Sequence, residues 1–377
     1  MRLRIVTLPD IRQADIEAWS DLRDRAITPY PCLDPRLLVP ASRLRGDARG
    51  TQLIFVEDGE QLLAAMPFVM RRGVGGLPTQ TISTGIPFLQ LESGWQHPLV
   101  DQVRAVDAIT ALLTGASDLH LPPLLDLCNV PGDGPLFTAL HEAVRRLGLP
   151  MVERERQEAA VARRVDLAPQ APTVRGRASF VVPHSATRTR KRGKQARALE
   201  KALGAELMLH DVSEDPRAVE QFIELQNRGW KGDRSHGGGG LRALGFDRWF
   251  TVVTDAYRAD GDLTVHQLRA GDETVYAGVL LRIGSRSFGY ADAYDERFAS
   301  YSAGTLGRIA SLNHTMADPS TTAFDPNMGL QYADAAQLYP HRQQYVRLLI
   351  ATGGGLGRAV VRSLPAARRL RSRMALT

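Results

Sequence analysis

The stretch from Val275 to Met316 constrains this chain most. Val275-Tyr-Ala-Gly-Val-Leu-Leu-Arg-Ile283 and Ser287-Phe-Gly-Tyr-Ala-Asp292 are β-branched and aromatic runs separated by the turn formers Gly284 to Ser287, a pattern that predicts a hairpin. An irregular loop, Ala293 to Ser300, follows. Tyr301-Ser-Ala-Gly-Thr-Leu306 then leads into Gly307–Met316, where Ile309, Leu312 and Met316 fall at helical spacing. The order is strand, loop, glycine-containing turn, helix. That order has a chemical use. The first amides of a helix lack internal partners and, with the helix dipole, favour an anion; a side chain at Gly304 would obstruct one.

At 377 residues the chain exceeds a typical domain of roughly 100–200 residues, so two domains are expected. Ile16, Trp19 and Leu22 give residues 11–23 a helical face, and Pro29, Pro31, Pro35 and Pro40 mark an irregular connection. Residues 51–57 and 61–70 flank Asp58-Gly59, a tight-turn pair. A strand region over 79–91, helices over 100–114 and 136–147, and a strand at Leu124–Cys128 complete a first unit, residues 1–167. Glu153 to Arg164 is a charged connection, and residues 168–178 read as a linker.

The second unit, residues 179–350, opens on a short strand, Ser179–Pro183, and a helix from near Ser185 to Ala202, stopped by Gly204. That helix carries Arg188, Arg190, Lys191, Arg192, Lys194, Arg197 and Lys201 against one acid, Glu200: a solvated face, or a surface for phosphates. A strand over 206–210 and a helix from Asp215-Pro216 to Gly229 follow. Next come Trp230-Lys231, the tetraglycine Gly237–Gly240, a helix over 246–258 and a hairpin over 263–283. The tetraglycine reads as a flap over a substrate cleft or as a loose surface loop. Thr321–Asp325 is a late strand.

Charge is unevenly placed. Six arginines between Arg358 and Arg373, with no acid beside them, account for the whole net +6, and the remaining 41 basic residues balance 41 acidic ones. A balanced body argues against a nucleic-acid groove as the main surface. The basic tail, residues 351–377, is expected in solvent or in weak contact with anionic membrane, its Val360, Val361, Leu364 and Leu370 interspersed with charge. Cys32 and Cys128 build no disulfide framework, and the nine histidines show no ligand spacing, so no metal is expected. No run approaches the about 20 apolar residues of a membrane span, and a cytoplasmic protein without stable membrane insertion is expected. Gly353-Gly-Gly-Leu-Gly357 is not G-x-G-x-x-G, and Ser302 is only half of a nucleophile elbow.

Tyr294-Asp-Glu-Arg-Phe-Ala-Ser-Tyr-Ser-Ala-Gly-Thr-Leu306 resembles the Y-D-x-x-F-x-x-Y-S-P-G-x-L segment of the CelD/BcsL-like acetyltransferases, a FemAB-like branch of the GNAT superfamily. Ala303 stands at the family's proline. Glu224-Leu-Gln-Asn-Arg-Gly-Trp-Lys231 is similar to the family's helix ending in Trp, and Phe324-Asp325 to its late acidic strand. The resemblance implies an α/β chain with mixed sheets, built as two tandem GNAT-like units: a scaffold and substrate-facing first unit, and a second with an acyl-CoA site. Two parallel strands, Ser287–Asp292 and Thr321–Asp325, would splay to admit the pantetheine arm. Tyr301, Ser302, Ala303, Gly304, Thr305 and Leu306 would take the pyrophosphate of acetyl-CoA or another acyl-CoA, and Trp230 and Lys231 would line the acceptor cleft. Asp292 and Asp325 each end an apolar strand, where burial suits a general base. Tyr294 and Tyr301 are candidate proton donors to the thiolate, and His266 reads as a core histidine.

The implied reaction is direct acetyl transfer to an amine or hydroxyl of a sugar, polysaccharide precursor or other polar metabolite. Tyr301 stands where the superfamily has Arg or Gln, Leu306 where it has Gly or Ala, and Gly329–Asp334 lacks the family's lysine. Two alternatives follow: aminoacyl transfer from aminoacyl-tRNA, with the basic helix holding RNA, or a non-catalytic assembly factor in envelope-polysaccharide synthesis.

Overall fold

The computed structural model describes residues 1–74, 77–92, 94–164, 176–355 and 357–364. The chain divides into two units, Met1–Glu158 with the residues from Gln343 on, and Ala159–Arg342.

The first unit runs β1 (Arg2–Thr7), α1 (Gln13–Asp24), α2 (Pro35–Leu44), β2 (Gln52–Asp58), β3 (Gln61–Val74), β4 (Leu77–Ser83), α3 (Pro87–Glu92), β5 (Leu99–Val100), α4 (Ala105–Gly115), β6 (Leu124–Pro131) and α5 (Gly134–Arg146). The β2–β3 hairpin turns at Gly59, whose φ of +62° favours glycine. In α5, Leu136, Ala139, Leu140, Ala143 and Val144 recur at helical spacing and are all buried against the sheet. Two expectations fail here. The proline-rich connection contains α2, because Pro35 sits at the first helical turn, where its missing N–H costs nothing, and Asp34 caps by accepting from the Arg36 amide at 2.8 Å. The strand expected to reach residue 91 ends at Ser83, and Pro87 starts α3.

Strand β7 (Met151–Arg163) replaces the expected charged connection. Its charges are largely exposed, while Ala159–Ala162 are buried. Much of the expected 168–178 linker lies outside the described residues.

The second unit continues with α6 (Ala186–Leu203), β8 (Leu207–Asp211), α7 (Ala218–Arg228), α8 (Leu241–Leu244), α9 (Asp247–Ala259), β9 (Leu263–Ala270), β10 (Glu273–Ile283), β11 (Arg286–Tyr294), α10 (Ala303–Ala317), β12 (Ala323–Asp325) and α11 (Ala333–Leu338). Its strands lie in the order β7-β12-β11-β10-β9-β8; β11 and β12 are parallel and the other pairs antiparallel. Residues 179–183 form no strand, because side chains take their backbone groups. Thr189 Oγ1 accepts from the Val182 amide at 2.9 Å, and Asn313 Nδ2 donates to the carbonyls of Ser179 and Val181 at 2.9 and 3.0 Å.

The last strand, β13 (His341–Ala351), pairs antiparallel with β6, so residues placed by sequence in the second unit's end return to the first. Val360 and Val361 are buried with Leu124, Leu349 and Ala351. They are core, not a membrane-facing stripe; residues 365–377 lie outside the described part.

Candidate functional site

Strands β11 and β12 pair through three residues, Arg286 with Ala323, Ser287 with Phe324 and Phe288 with Asp325. There the pairing stops. Asp325 Oδ1 accepts from the Asn327 amide at 2.9 Å, and the chain turns at Asn327, whose φ is +51°. Strand β11 continues to Tyr294, held by β10 alone among the described pairings. A bulge interrupts that ladder: Leu280 pairs with Gly289 and Val279 with Ala291, leaving Tyr290 as the extra residue. The sequence carries no signal for the bulge, because nothing about Tyr290 itself demands one.

Beyond β11, Asp295 accepts from the Arg297 amide at 3.0 Å and starts a turn of 3-10 helix over Glu296–Tyr301. Ser302 follows in the left-handed region, φ +62°, an uncommon conformation for a residue with a side chain. Helix α10 begins there. The Leu306 amide donates to Ser302 O at 3.0 Å, and no side chain caps the amides of the first turn. The Ser302 hydroxyl instead accepts from Gln195 Nε2 at 2.8 Å, and Gln195 Oε1 accepts from Arg192 Nη1 at 3.0 Å. Arg192 is 8% exposed, on the inner side of α6 with Ala196 and Leu199; the other six cations of that helix are exposed.

A second cluster joins α10 to β11. Arg308 Nε donates to Asp292 Oδ2 at 2.5 Å and Nη1 to Asp334 Oδ2 at 2.9 Å, and the Thr305 hydroxyl donates to Asp334 at 2.8 Å. Lys231 Nζ donates to the Asp292 carbonyl at 2.9 Å and lies 3.8 Å from its carboxylate. Burial alone would lower the Arg308 guanidinium, but Asp292 beside it outweighs burial and holds it above the ordinary range. Tyr276 and Tyr339 are buried close by. Burial first, then Asp292 for Tyr276, raises their phenols, so both stay protonated.

The predicted residues therefore fall into distinct places. Asp292 and Lys231 meet directly, and Trp230, 54% exposed, is tied through its amide to Glu296 Oε1 at 2.6 Å. Asp325 is 1% exposed and closes a turn. The Tyr294 ring lies on the start of α10, where a Cβ on Gly304 would come within 2.9 Å of it, so this glycine is required by packing. Ala303 and Leu306 are fully buried, which leaves backbone rather than side chains to meet a ligand. The tetraglycine is not a loose loop, because its backbone is packed against residues 230–233. Gly240 N donates to Lys231 O at 2.7 Å, and Cβ atoms on Gly238 or Gly240 would lie 2.5–2.7 Å from carbonyls of residues 230–233. Sequence reasoning missed the pairing partners Arg308 and Asp334 and the inward turn of Arg192.

Residues 186–332 match the family described as the acetyltransferase (GNAT) domain. A crystal structure of FemX aligns over 92% of this chain and 97% of its own, at 12% identity and TM-score 0.52. A conserved protein of unknown function from Bacteroides thetaiotaomicron aligns over 92% and 99%, at 11% identity and TM-score 0.53. A tandem GNAT protein from the clavulanic acid biosynthesis pathway aligns over 94% and 100%, at 13% identity and TM-score 0.42. No curated protein matches the chain. The fold is mixed α/β, with a GNAT-like domain in the second unit, and the match over residues 186–332 supports a GNAT-type acyltransferase. Among the described residues no helix is long and apolar enough to cross a membrane.

Proposed function

We propose that the second unit transfers an acetyl group from acetyl-CoA directly to an amine or hydroxyl of a sugar, a polysaccharide precursor or another polar metabolite. The start of α10 supports this most. Its first amides are uncapped, and Ser302 is tied through Gln195 to a buried guanidinium, Arg192, with no carboxylate in ion-pairing distance among the described residues. A buried cation without a counter-charge is costly. A pyrophosphate would supply that charge where the helix dipole also favours it. This reading does not need the superfamily's Arg or Gln at position 301, because Arg192 is linked to the turn from α6 through Gln195.

Past Phe288, where the pairing with β12 stops, β11 would run alongside the pantetheine arm and bind its amides. The acceptor enters beside Trp230 and Lys231. Its nitrogen or oxygen attacks the thioester carbon, its proton passes to Asp292, and the C–S bond breaks as Tyr294 protonates the leaving thiolate. Arg308 and Lys231 hold Asp292 in place. Asp325 is assigned to closing β12. The likeness of residues 294–306 to the CelD/BcsL-like segment supports a saccharide acceptor. Thiol release from acetyl-CoA in the presence of a panel of amino sugars tests the reading: acceptor-dependent release is expected, and its absence across amines and sugars contradicts it.

Aminoacyl transfer from aminoacyl-tRNA is the second reading. The exposed Arg188, Arg190, Lys191, Lys194, Arg197 and Lys201 of α6 favour it, as does the fold likeness to FemX. It predicts tRNA binding that weakens steeply between about 50 and 200 mM salt.

A further inference from the structure

Asp211, His266 and His314 are scattered in sequence, and none of their spacings suggests a ligand set. The fold brings them together within the second unit. Asp211 ends the edge strand β8 and sits directly opposite His266 on β9, so both side chains leave the same face of the sheet. Helix α10 packs on that face. It contributes Ser311 and, one turn further, His314. One ligating atom from each of Asp211, His266 and His314 lies within 4.8 Å of the others. The two imidazole rings are 5.0 Å apart and nearly perpendicular.

The buried member carries the inference. His266 is 1% exposed; its Nδ1 lies 2.8 Å from Ser311 Oγ, and its Nε2 has no hydrogen-bond partner among the described residues. A hydroxyl accepting from Nδ1–H fixes the tautomer and leaves a bare Nε2 lone pair, as an outer partner does for a metal-bound histidine. Asp211 Oδ1 accepts from the Ser213 amide at 3.0 Å and from its hydroxyl, so Oδ2 remains open. Asp211 is exposed and His314 half-buried, giving an ion a route in from solvent.

We propose that Asp211, His266 and His314 form a binding site for a divalent transition-metal ion, Zn²⁺ by its ligand set. Two imidazole nitrogens and a carboxylate oxygen suit that ion and leave a fourth position for water. Bonds of about 2.0–2.2 Å draw the three ligands closer than 4.8 Å, a movement that falls on the exposed Asp211. The ion fastens edge strand β8 to β9 and to α10 near the end opposite Ser302. It supplies no step of the acyl transfer.

The test uses the full, tag-free chain, stripped with EDTA and titrated with ZnCl₂ by calorimetry. One tight equivalent is expected, with a thermal midpoint raised by Zn²⁺ and restored by EDTA, and with visible tetrahedral bands on Co²⁺ substitution. His266 is too buried for a clean substitution, so Asp211→Asn and His314→Gln serve. Each should weaken Zn²⁺ by about tenfold or more, the scale on which metal sites respond even to lost outer partners, while matching the wild-type midpoint in EDTA. Absence of a saturable stoichiometric site, or a site unchanged in both variants, overturns the proposal.

Discussion

Asp292 and Asp325 sit at comparable strand ends and have different fates. Asp292 is held between Lys231 and Arg308 with a quarter of its side chain exposed, while Asp325 is enclosed and bonded to a turn amide. Asp292→Asn should lower turnover about 10²–10⁴-fold with little change in melting temperature; Asp325→Asn should show itself mainly as lost stability, read by urea denaturation. Gly307 faces the Tyr276 ring so closely that a Cβ would lie 2.0 Å away, so Gly307→Ala should destabilise by about 1–3 kcal/mol or more in the same measurement. Asp15 gives a pH prediction. Burial opposes its charge, but Arg12 and Arg4 at 3.0 and 2.7 Å outweigh burial and lower it from 3.8 to about 2. Its stabilisation of about 2 kcal/mol is present above pH 4 and is lost as the pH falls toward 2, so Asp15→Asn should differ from wild type at pH 7 and converge with it in acid. At this scale motif and strand pattern single out Asp292, Tyr294 and Lys231 as candidates. Arg308, Asp334 and Arg192 were not visible, since their roles depend on partners 16, 26 and, through Gln195, 107 residues distant from one another.

Elements were legible where one local rule dominated. The hairpins at Gly59, Gly271 and Gly284 form where expected, each with glycine at positive φ, and α6 starts at a Ser185 cap and ends at Gly204. They were illegible where tertiary partners overrode local pattern. Strand β7 looks like a charged connection until β12 pairs with its buried end, and residues 179–183 look like a strand until Asn313 and Thr189 take their backbone bonds. Backbone entropy alone makes the tetraglycine look loose, whereas its glycines allow backbone to approach backbone beneath Lys231. Gly240→Ala would set a Cβ 2.7 Å from Lys231 O. It should therefore cost about 1–3 kcal/mol of stability in urea denaturation with an unchanged m-value, and raise the acceptor KM if Lys231 lines that cleft.

Across the described strands, each unit has a parallel pair, but the two pairs are furnished differently. In the first unit β4 and β6 meet at Ser83 and Asp126, and Arg347 clamps Asp126 through two bonds of 2.9 and 2.5 Å. The turn into α4 is filled by the chain's own Asp101, which accepts from the amides of Val103 and Arg104 at 2.9 and 2.8 Å. In the second unit the corresponding positions are a helix start without a side-chain cap and a buried arginine with no carboxylate in ion-pairing distance among the described residues. That asymmetry is why the donor is assigned to the second unit, and Ser302 offers a direct way to test it. Aspartate tolerates the left-handed conformation and can still accept from Gln195, so Ser302→Asp should fold while placing the protein's own anion where the pyrophosphate would sit. The decisive measurement is calorimetric titration of wild type and Ser302→Asp with acetyl-CoA. The account predicts saturable binding by wild type, weakened at least about tenfold in a variant of unchanged melting temperature, as expected when a charge-assisted contact is lost. No binding by wild type at millimolar acetyl-CoA, or equal binding by both proteins, would contradict it.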